Sequence, residues 1–191
     1  GVVVIGVPCR GVVSRRRLEA ALDGRDLTEA LEDGDALVLR GSGFERVVPV
    51  EDLLDGACRA CTGRDPTDCD VRIAGESRPA AADGFVDVRA FEALPADERW
   101  ARFQREFGRC IRCYACRNVC PACQCAQCFV DCTDPEWIGK GGDPADTLLF
   151  HLVRALHVAG RCVGCGACTR ACPVGIDLRT QIGRASCRER V

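Results

Sequence analysis

The sequence predicts an α+β protein in two parts: a small α/β piece over residues 1–75 and a helix-flanked, cysteine-rich module over residues 94–181. Three observations support this division. Short apolar runs alternate with a helix and glycine turns in the first part, two longer helical patterns occupy the second, and each of those helices leads into a cysteine run of one spacing. Residues 76–93, which contain Pro79 and Asp83-Gly84, are predicted to be a linker.

The first part is expected to contain one helix and several strands. Ser14 can cap a helix over Arg15–Leu22, and Gly24 can end it. Gly41-Ser-Gly43 separates two apolar runs, which is a hairpin signal. The predicted strands, of which the first is expected to be buried, are Val2–Ile5, Asp35–Arg40, Phe44–Val50 and Val71–Ile73.

Two helices are predicted in the second part. Pro95 stands at the first position of a helix that runs to about residue 107, with its aromatic side chains on one face. Those aromatic residues are Trp100, Phe103 and Phe107. A second helix is predicted over 145–158, opened by Asp143-Pro144 and closed by Gly160. Its histidines, His151 and His157, are six residues apart, so packing or surface roles are favoured for them.

Each helix is followed by four cysteines and a proline at the same intervals. The runs are Cys110-x2-Cys113-x2-Cys116-x3-Cys120-Pro121 and Cys162-x2-Cys165-x2-Cys168-x3-Cys172-Pro173. This pair of runs is typical of a two-cluster bacterial ferredoxin module, in which three cysteines of one run and the fourth of the other bind each [4Fe-4S] cluster. Cluster one is therefore assigned Cys110, Cys113, Cys116 and Cys172, and cluster two Cys162, Cys165, Cys168 and Cys120. Zinc is the alternative, but a four-cysteine zinc site usually needs two separated Cys-x2-Cys pairs.

Residues between the cysteines are expected to adapt the loops to the clusters. Gly164 and Gly166 allow close approach of the backbone. The small or apolar residues Ile111, Val163 and Ala167 are expected to shield the clusters from water, which would influence their potentials.

Two further cysteine groups are candidate metal sites. One lies in the insert 123–161 directly after the first run, and its members are Cys123, Cys125, Cys128 and Cys132. These could hold another iron–sulfur cluster or zinc, or be spare thiols. The other is dispersed along the first part and consists of Cys9, Cys58, Cys61 and Cys69. A [4Fe-4S] cluster is one interpretation of this group, and a redox-active Cys-x2-Cys pair is the other.

The overall composition favours an intracellular metal protein. The chain has 17 cysteines, a formal charge of −2 and no apolar run of membrane-spanning length. The N-terminal residues lack the basic region of a secretory signal, which favours a reducing cytoplasm over a disulfide scaffold. Bound clusters would add negative charge, and this argues against a nucleic-acid partner. No set of catalytic side chains is apparent.

The Gly6-Val-Pro-Cys9 loop, the segment from Cys58-Arg-Ala-Cys61 to Cys69-Asp-Val-Arg-Ile73 and the two cysteine runs together resemble the beta subunits of deazaflavin-dependent hydrogenases and formate dehydrogenases. Related subunits feed heterodisulfide-reductase-type complexes in anaerobes. The resemblance implies that Cys9, Cys58 and Cys61 bind a cluster near FAD, and that the partners are a flavoprotein, a hydrogenase or a formate dehydrogenase. Cys69 is added as a fourth ligand by its position alone.

These observations favour electron transfer through [4Fe-4S] clusters in an anaerobic cytoplasmic oxidoreductase complex. The alternatives are a flavin-dependent deazaflavin oxidoreductase, of which this chain carries the cluster-binding part, and a zinc-stabilised binding module. The chain is expected to be a fragment of a longer protein, because it begins inside a predicted strand without Met. Residues 182–191 resemble a translated sequencing adapter and are excluded from the fold prediction.

Overall fold

The computed structural model describes residues 1–182 and divides them into two units, the first being Gly1–Gly84 and the second beginning at Phe85. The predicted adapter-like segment lies outside the described residues, apart from Ile182. The first unit contains β1 (Ile5–Gly6), α1 (Arg15–Leu22), β2 (Leu27–Asp33), β3 (Ala36–Gly41), β4 (Phe44–Pro49), α2 (Val50–Leu53), α3 (Gly56–Arg59) and β5 (Val71–Arg72). The second contains α4 (Val86–Glu92), α5 (Ala96–Phe107), α6 (Ala115–Asn118), a 3-10 turn (Phe129–Asp131), α7 (Pro144–Ala159), α8 (Ala167–Ala171) and α9 (Leu178–Ile182). The predicted α+β class is confirmed.

An antiparallel three-stranded sheet in the order β2-β3-β4 dominates the first unit. The predicted hairpin is present, with Gly41 paired to Phe44 at its turn. Strand β2 was not predicted and joins β3 through a turn at Gly34, whose φ of 57° lies in the left-handed region that glycine tolerates. Arg40 on β3 pairs with Glu29 on β2 and Glu45 on β4, so the solvated face of the sheet carries a cross-strand ion network.

The predicted N-terminal strand is shorter and more exposed than expected. Only Ile5–Gly6 is extended and paired, and it runs parallel to Val71–Arg72. Val2 is 89 % exposed and Ile5 61 % exposed, so the prediction of a buried strand is wrong for the described residues. The physical reason is that a two-stranded pair satisfies one edge of the backbone but packs neither face against another layer.

Helix α1 spans the predicted residues and packs against α2. Ser14 occupies the N-cap position without a side-chain cap bond, and the left-handed C-cap residue is Asp23 (φ 52°), one position before the predicted Gly24. The core beneath this helix and the sheet consists of Leu39, Val50, Leu53 and Leu54.

Helix α7 is central to the second unit and contacts α5 and α9. Asp143 caps it by accepting a hydrogen bond from the Ala145 amide at 2.7 Å, and Pro144 follows at the first helical position, as predicted. Helix α5 also ends at Phe107 as predicted, but Pro95 occupies its N-cap position, one residue before the predicted first helical position. Residues 76–93 are not a plain linker, since they include α4 with its buried Val88. None of the helices in residues 1–182 has the length and apolar character that crossing a bilayer requires.

Candidate metal centres

The two cysteine runs have the same backbone conformation. In the second run Gly164 and Gly166 have φ values of 68° and 73°, and the matching positions of the first run, Arg112 and Tyr114, have φ values of 52° and 58°. In each run, the residues before and after the second cysteine, Cys113 or Cys165, therefore have left-handed backbone conformations. These conformations curve the loop around one centre. The first run adopts this shape without glycine, which costs on the order of 1–2 kcal/mol per residue. The Arg112 guanidinium anchors that loop through the carbonyls of Gly139 and Gly141.

The structure brings together the cysteines assigned to cluster one. Cys110, Cys113 and Cys116 of the first run and Cys172 of the second line one narrow cavity of ≈ 20 Å³. Backbone amides already donate to two of these sulfurs, Arg112 N to Cys110 Sγ at 3.3 Å and Ile176 N to Cys172 Sγ at 3.4 Å. Cys113 is the exposed member of this set.

The cysteines assigned to cluster two line a separate cavity of ≈ 310 Å³. Its sulfur-bearing residues are Cys120, Cys162, Cys165 and Cys168. Helices α6 and α8, which begin inside the two runs, pack against each other and place each fourth cysteine beside the opposite run. The grouping in space is therefore the exchanged arrangement that the spacing predicts, although 41 residues separate Cys120 from Cys162.

Burial controls the acidity of the cluster-site thiols. It raises the pKa of Cys116 to about 11, against the opposing charge of Arg154, and it also raises the pKa values of Cys110 and Cys168. Without metal these thiols are protonated at neutral pH. Ligation by iron therefore has to release protons from them, because the thiolate is the ligand form.

Arg154 of α7 is a buried cation between the two cysteine sites. The residue is 3 % exposed, and its Nη2 donates to the Cys116 carbonyl at 3.0 Å. Burial disfavours its charge, but the neighbouring thiols Cys116 and Cys168 raise its pKa. Within residues 1–182, no hydrogen-bond partner is found for its Nε and Nη1 atoms, or for Nη1 of Arg179, which lines the second cavity. Buried N–H groups without acceptors beside four cysteines fit an anionic occupant such as a thiolate-ligated cluster.

His151, one helical turn before Arg154, faces the cluster-one site. The residue is 1 % exposed, its ring stacks on Phe107 with centroids 3.8 Å apart, and its Nε2 lies 3.2 Å from Cys110 Sγ. Burial, with the Arg154 charge, lowers the pKa of His151 to about 3, so the ring is neutral. The six-residue separation of His151 and His157 favoured packing or surface roles, and His151 does pack against Phe107, but its contact with Cys110 was not predicted. The helical period of 3.6 residues, which places Phe150, His151 and Arg154 on the buried face of α7, was the sequence feature that could have indicated this position.

Comparison with known families identifies the segment that holds both runs. Residues 106–176 match the 4Fe-4S dicluster domain. The matched residues include all eight cysteines of the two sites. The prediction that this chain carries [4Fe-4S] clusters is thereby confirmed.

Curated relatives fall into two groups. The chain is 38 % identical over 88 residues to the F420-dependent formate dehydrogenase subunit beta of Methanocaldococcus jannaschii, a match that covers 46 % of this chain and 22 % of the relative. A match to the F420-dependent formate dehydrogenase 1 subunit beta of Methanococcus maripaludis is 39 % identical over 68 residues and covers 36 % and 16 %. Lactate utilization protein B of Exiguobacterium is 32 % identical over 152 residues, covering 74 % and 31 %. The predicted resemblance to formate dehydrogenase beta subunits is confirmed, and the chain spans less than a third of each of these relatives.

The cysteine group that follows the first run surrounds a further cavity of the dicluster unit. Cys123, Cys125 and Cys128 line a space of ≈ 370 Å³ together with Arg154. Cys132, the fourth predicted member, is not among the lining residues, and its Sγ instead lies 3.7 Å from the Cys128 carbonyl oxygen. Three of the four predicted residues are thus brought together.

The dispersed group lies within the first unit. The amides of Gly11 and Val12 donate to Cys9 Sγ at 3.4 Å and to Cys58 Sγ at 3.2 Å, so two successive N–H groups face two of the predicted ligands. Cys61 Sγ instead donates to the Gly63 carbonyl at 3.3 Å. Cys69 lies against Gly6, where an added Cβ would be 2.6 Å from Cys69 Sγ.

Within residues 1–182, no group of three or more His, Cys, Asp or Glu side chains has the geometry of a site for a single metal ion.

Two apolar residues that were expected to shield the clusters are exposed. Ile111 is 63 % exposed and Val163 is 77 % exposed. Both line the mouths of the cysteine cavities, and the buried side of each site is provided instead by residues such as Phe150 and Leu178.

Proposed function

We propose that this chain transfers single electrons through two [4Fe-4S] clusters as part of an oxidoreductase complex. The observation that supports this proposal most strongly is the pairing of three cysteines from one run with the fourth of the other at each of two adjacent cavities. A [4Fe-4S] cluster with four cysteine ligands gains and loses one electron and keeps no open iron site for a substrate. The chain's role is then to bind the clusters, exclude water and balance their charge.

The balance of charge is the task of the buried arginines. Arg154 lies near sulfurs of both sites, and Arg179 lines the second one. A positive charge held in a low-dielectric interior favours the more negative, reduced form of a nearby cluster. Arg154 and Arg179 are therefore proposed to favour the reduced form of the clusters and so to raise their reduction potentials.

The partner is proposed from the formate dehydrogenase relatives. The two archaeal proteins are beta subunits of F420-dependent enzymes, and their similarity to this chain is concentrated in less than half of it. A flavoprotein, hydrogenase or formate dehydrogenase subunit is thus the proposed electron donor or acceptor, in an anaerobic cytoplasm. FAD is proposed to belong to the full-length protein, in line with the predicted likeness of the Cys9 loop and the Cys58–Cys61 segment to this family.

Up to two further metal centres are part of the proposal. The space bounded by Cys123, Cys125 and Cys128 has room for a cluster and is lined by the Arg154 cation. Cys132 would need to turn away from the Cys128 carbonyl to become its fourth ligand. In the first unit, the amides that face Cys9 and Cys58 are the type of donor that stabilises cluster sulfur, and Cys61 and Cys69 complete the proposed set.

Metal analysis and reversible reduction test the proposal. Protein purified without oxygen is expected to contain at least about eight iron and eight sulfide per chain. Its broad absorption near ~400 nm should be bleached by dithionite and restored by an added oxidant. A colourless protein that contains only zinc would refute electron transfer and support a zinc-stabilised module.

A second candidate function is a flavin-dependent oxidoreductase that reduces or oxidises a deazaflavin carrier. The similarity to beta subunits of F420-dependent formate dehydrogenases favours this second function. Flavin analysis of the full-length protein distinguishes the two. Stoichiometric bound flavin supports the enzyme, and its absence with intact clusters supports an electron-transfer component alone.

A further inference from the structure

The buried histidine of α7 contacts a cysteine sulfur of the cluster-one site. His151 is fully enclosed, and its Nε2 is 3.2 Å from the sulfur of Cys110, a residue 41 positions away in sequence. Phe107 stacks on the ring at 3.8 Å and Phe150 meets it edge-on at 4.8 Å, so the ring cannot turn away from the sulfur without breaking two aromatic contacts.

The tautomer follows from the surroundings of the ring. Nδ1 is buried without a hydrogen-bond partner among the described residues. A proton on Nδ1 would leave a buried donor unsatisfied and would turn the Nε2 lone pair toward a sulfur that, as a cluster ligand, carries no proton. The neutral ring is therefore protonated at Nε2, and Nε2–H points at Cys110 Sγ.

We propose that His151 donates a hydrogen bond to the Cys110 ligand and thereby raises the reduction potential of cluster one selectively. This inference rests on the proposed function, because it requires the cluster. A hydrogen bond to a ligand sulfur stabilises the reduced cluster more than the oxidised one, since reduction adds negative charge to the sulfurs. His151 is not among the residues that line the cluster-two cavity, whereas Arg154 lies near sulfurs of both sites.

The matched variants are on the same helix. His151→Phe keeps an aromatic ring between Phe107 and Phe150 but removes the donor, and His151→Gln keeps a donor on a smaller side chain. Leu156→Phe is the control, because Leu156 lies on the same helix, is exposed and lines none of the three cysteine cavities.

Redox titration followed by electron paramagnetic resonance tests the proposal on anaerobically purified full-length chains of equal iron content. In His151→Phe the reduced-to-oxidised ratio of one cluster at a fixed potential should fall about tenfold, a shift of about 59 mV for a one-electron couple. The other cluster should not shift, His151→Gln should recover part of the change, and Leu156→Phe should change neither. Unchanged potentials in His151→Phe, or an equal shift of both clusters, would overturn the proposal.

A spectroscopic signature covers the case in which His151→Phe loses iron. Wild-type protein with 15N-labelled histidine should show weak nitrogen hyperfine coupling to one reduced cluster. His157→Phe, which removes the only other histidine of the sequence, should keep that coupling. Absence of that coupling in a wild-type protein with full clusters would overturn the proposal while leaving the proposed function intact. A wild-type protein without iron–sulfur clusters would instead refute the proposed function.

Discussion

The cysteines of each run differ in depth in a way that suits assembly of a cluster. Cys116 and Cys172 are buried, whereas Cys113 and Cys165, the second cysteine of each run, are exposed. In the cluster-one site, the buried Cys116 and Cys172 and the half-buried Cys110 leave the exposed Cys113 as the side from which a cubane would enter. At this scale the spacing of the cysteines predicts the ligand types, but not which sulfurs have polar neighbours.

Removal of one fourth cysteine should deplete the cluster on the opposite run. Cys172→Ala is expected to lower the iron content by about four per chain and to spare cluster two, because Cys172 lines only the cavity of the first run among the two cluster cavities. Iron analysis checks this, with Cys132→Ala as a control that should retain both dicluster clusters. Full iron content in Cys172→Ala would contradict the assignment of Cys172 as a cluster ligand.

The buried thiol of Cys116 gives the metal-free protein a distinct pH dependence. Its pKa in the folded state is raised to about 11 by burial, so folding favours the protonated thiol, and stability falls as pH rises above the unfolded value near 9. From this thiol alone, unfolding free energy should decrease by about 1 kcal/mol between pH 8 and pH 10.

Denaturant unfolding at the two pH values measures this effect. The holoprotein should not show the loss, because iron holds Cys116 as a thiolate at either pH. A Cys116→Ala variant without metal serves as the control for other titrating groups. Equal pH dependence in that variant and in the parent would show that Cys116 is not responsible.

At the scale of elements, local chemistry predicted helices well and strands less well. Helix α7 forms where Asp143 and Pro144 signal its start, because capping and proline geometry act within one turn. Strand β2 has the helix-favouring sequence Leu-Thr-Glu-Ala-Leu-Glu-Asp, and its pairing with β3 overrides that preference. The contacts of His151 and Arg154 depend on which face of α7 meets the cysteine loops, and such tertiary contacts have no local sequence signature.

The loop of the second run should be sensitive to a side chain at its left-handed positions. Gly164→Ala is expected to destabilise the holoprotein by about 1 kcal/mol, because Gly164 has a φ of 68° although the space around it is open. Gly142→Ala is the matched control, since Gly142 also has open space but no left-handed φ. Thermal unfolding under anaerobic conditions compares the two, and an equal effect of both substitutions would contradict the role of backbone conformation.

At the scale of the whole molecule, the dicluster chemistry belongs to one unit. All eight cysteines of the two runs and the core around Phe107, Phe150 and Ile176 lie after residue 84. The proposed exchange of fourth ligands would make the two runs a single folding unit.

A chain of residues 85–182 is therefore expected to assemble both clusters by itself. It should contain about eight iron per chain and unfold cooperatively. Iron analysis and circular dichroism check this, with the chain of residues 1–84 as the counterpart that should lack the dicluster signals. A fragment 85–182 that folds but binds no iron would show that the first unit is needed for cluster assembly.

The electron paramagnetic resonance spectrum of the dithionite-reduced, anaerobically purified protein tests the central claim most directly. Two [4Fe-4S] clusters at adjacent sites that share the Arg154 cation should give signals with magnetic interaction between the clusters, integrating to at least about two spins per chain. A spectrum without iron–sulfur signal, or one isolated cluster in a protein whose eight cysteines are intact, would contradict the account.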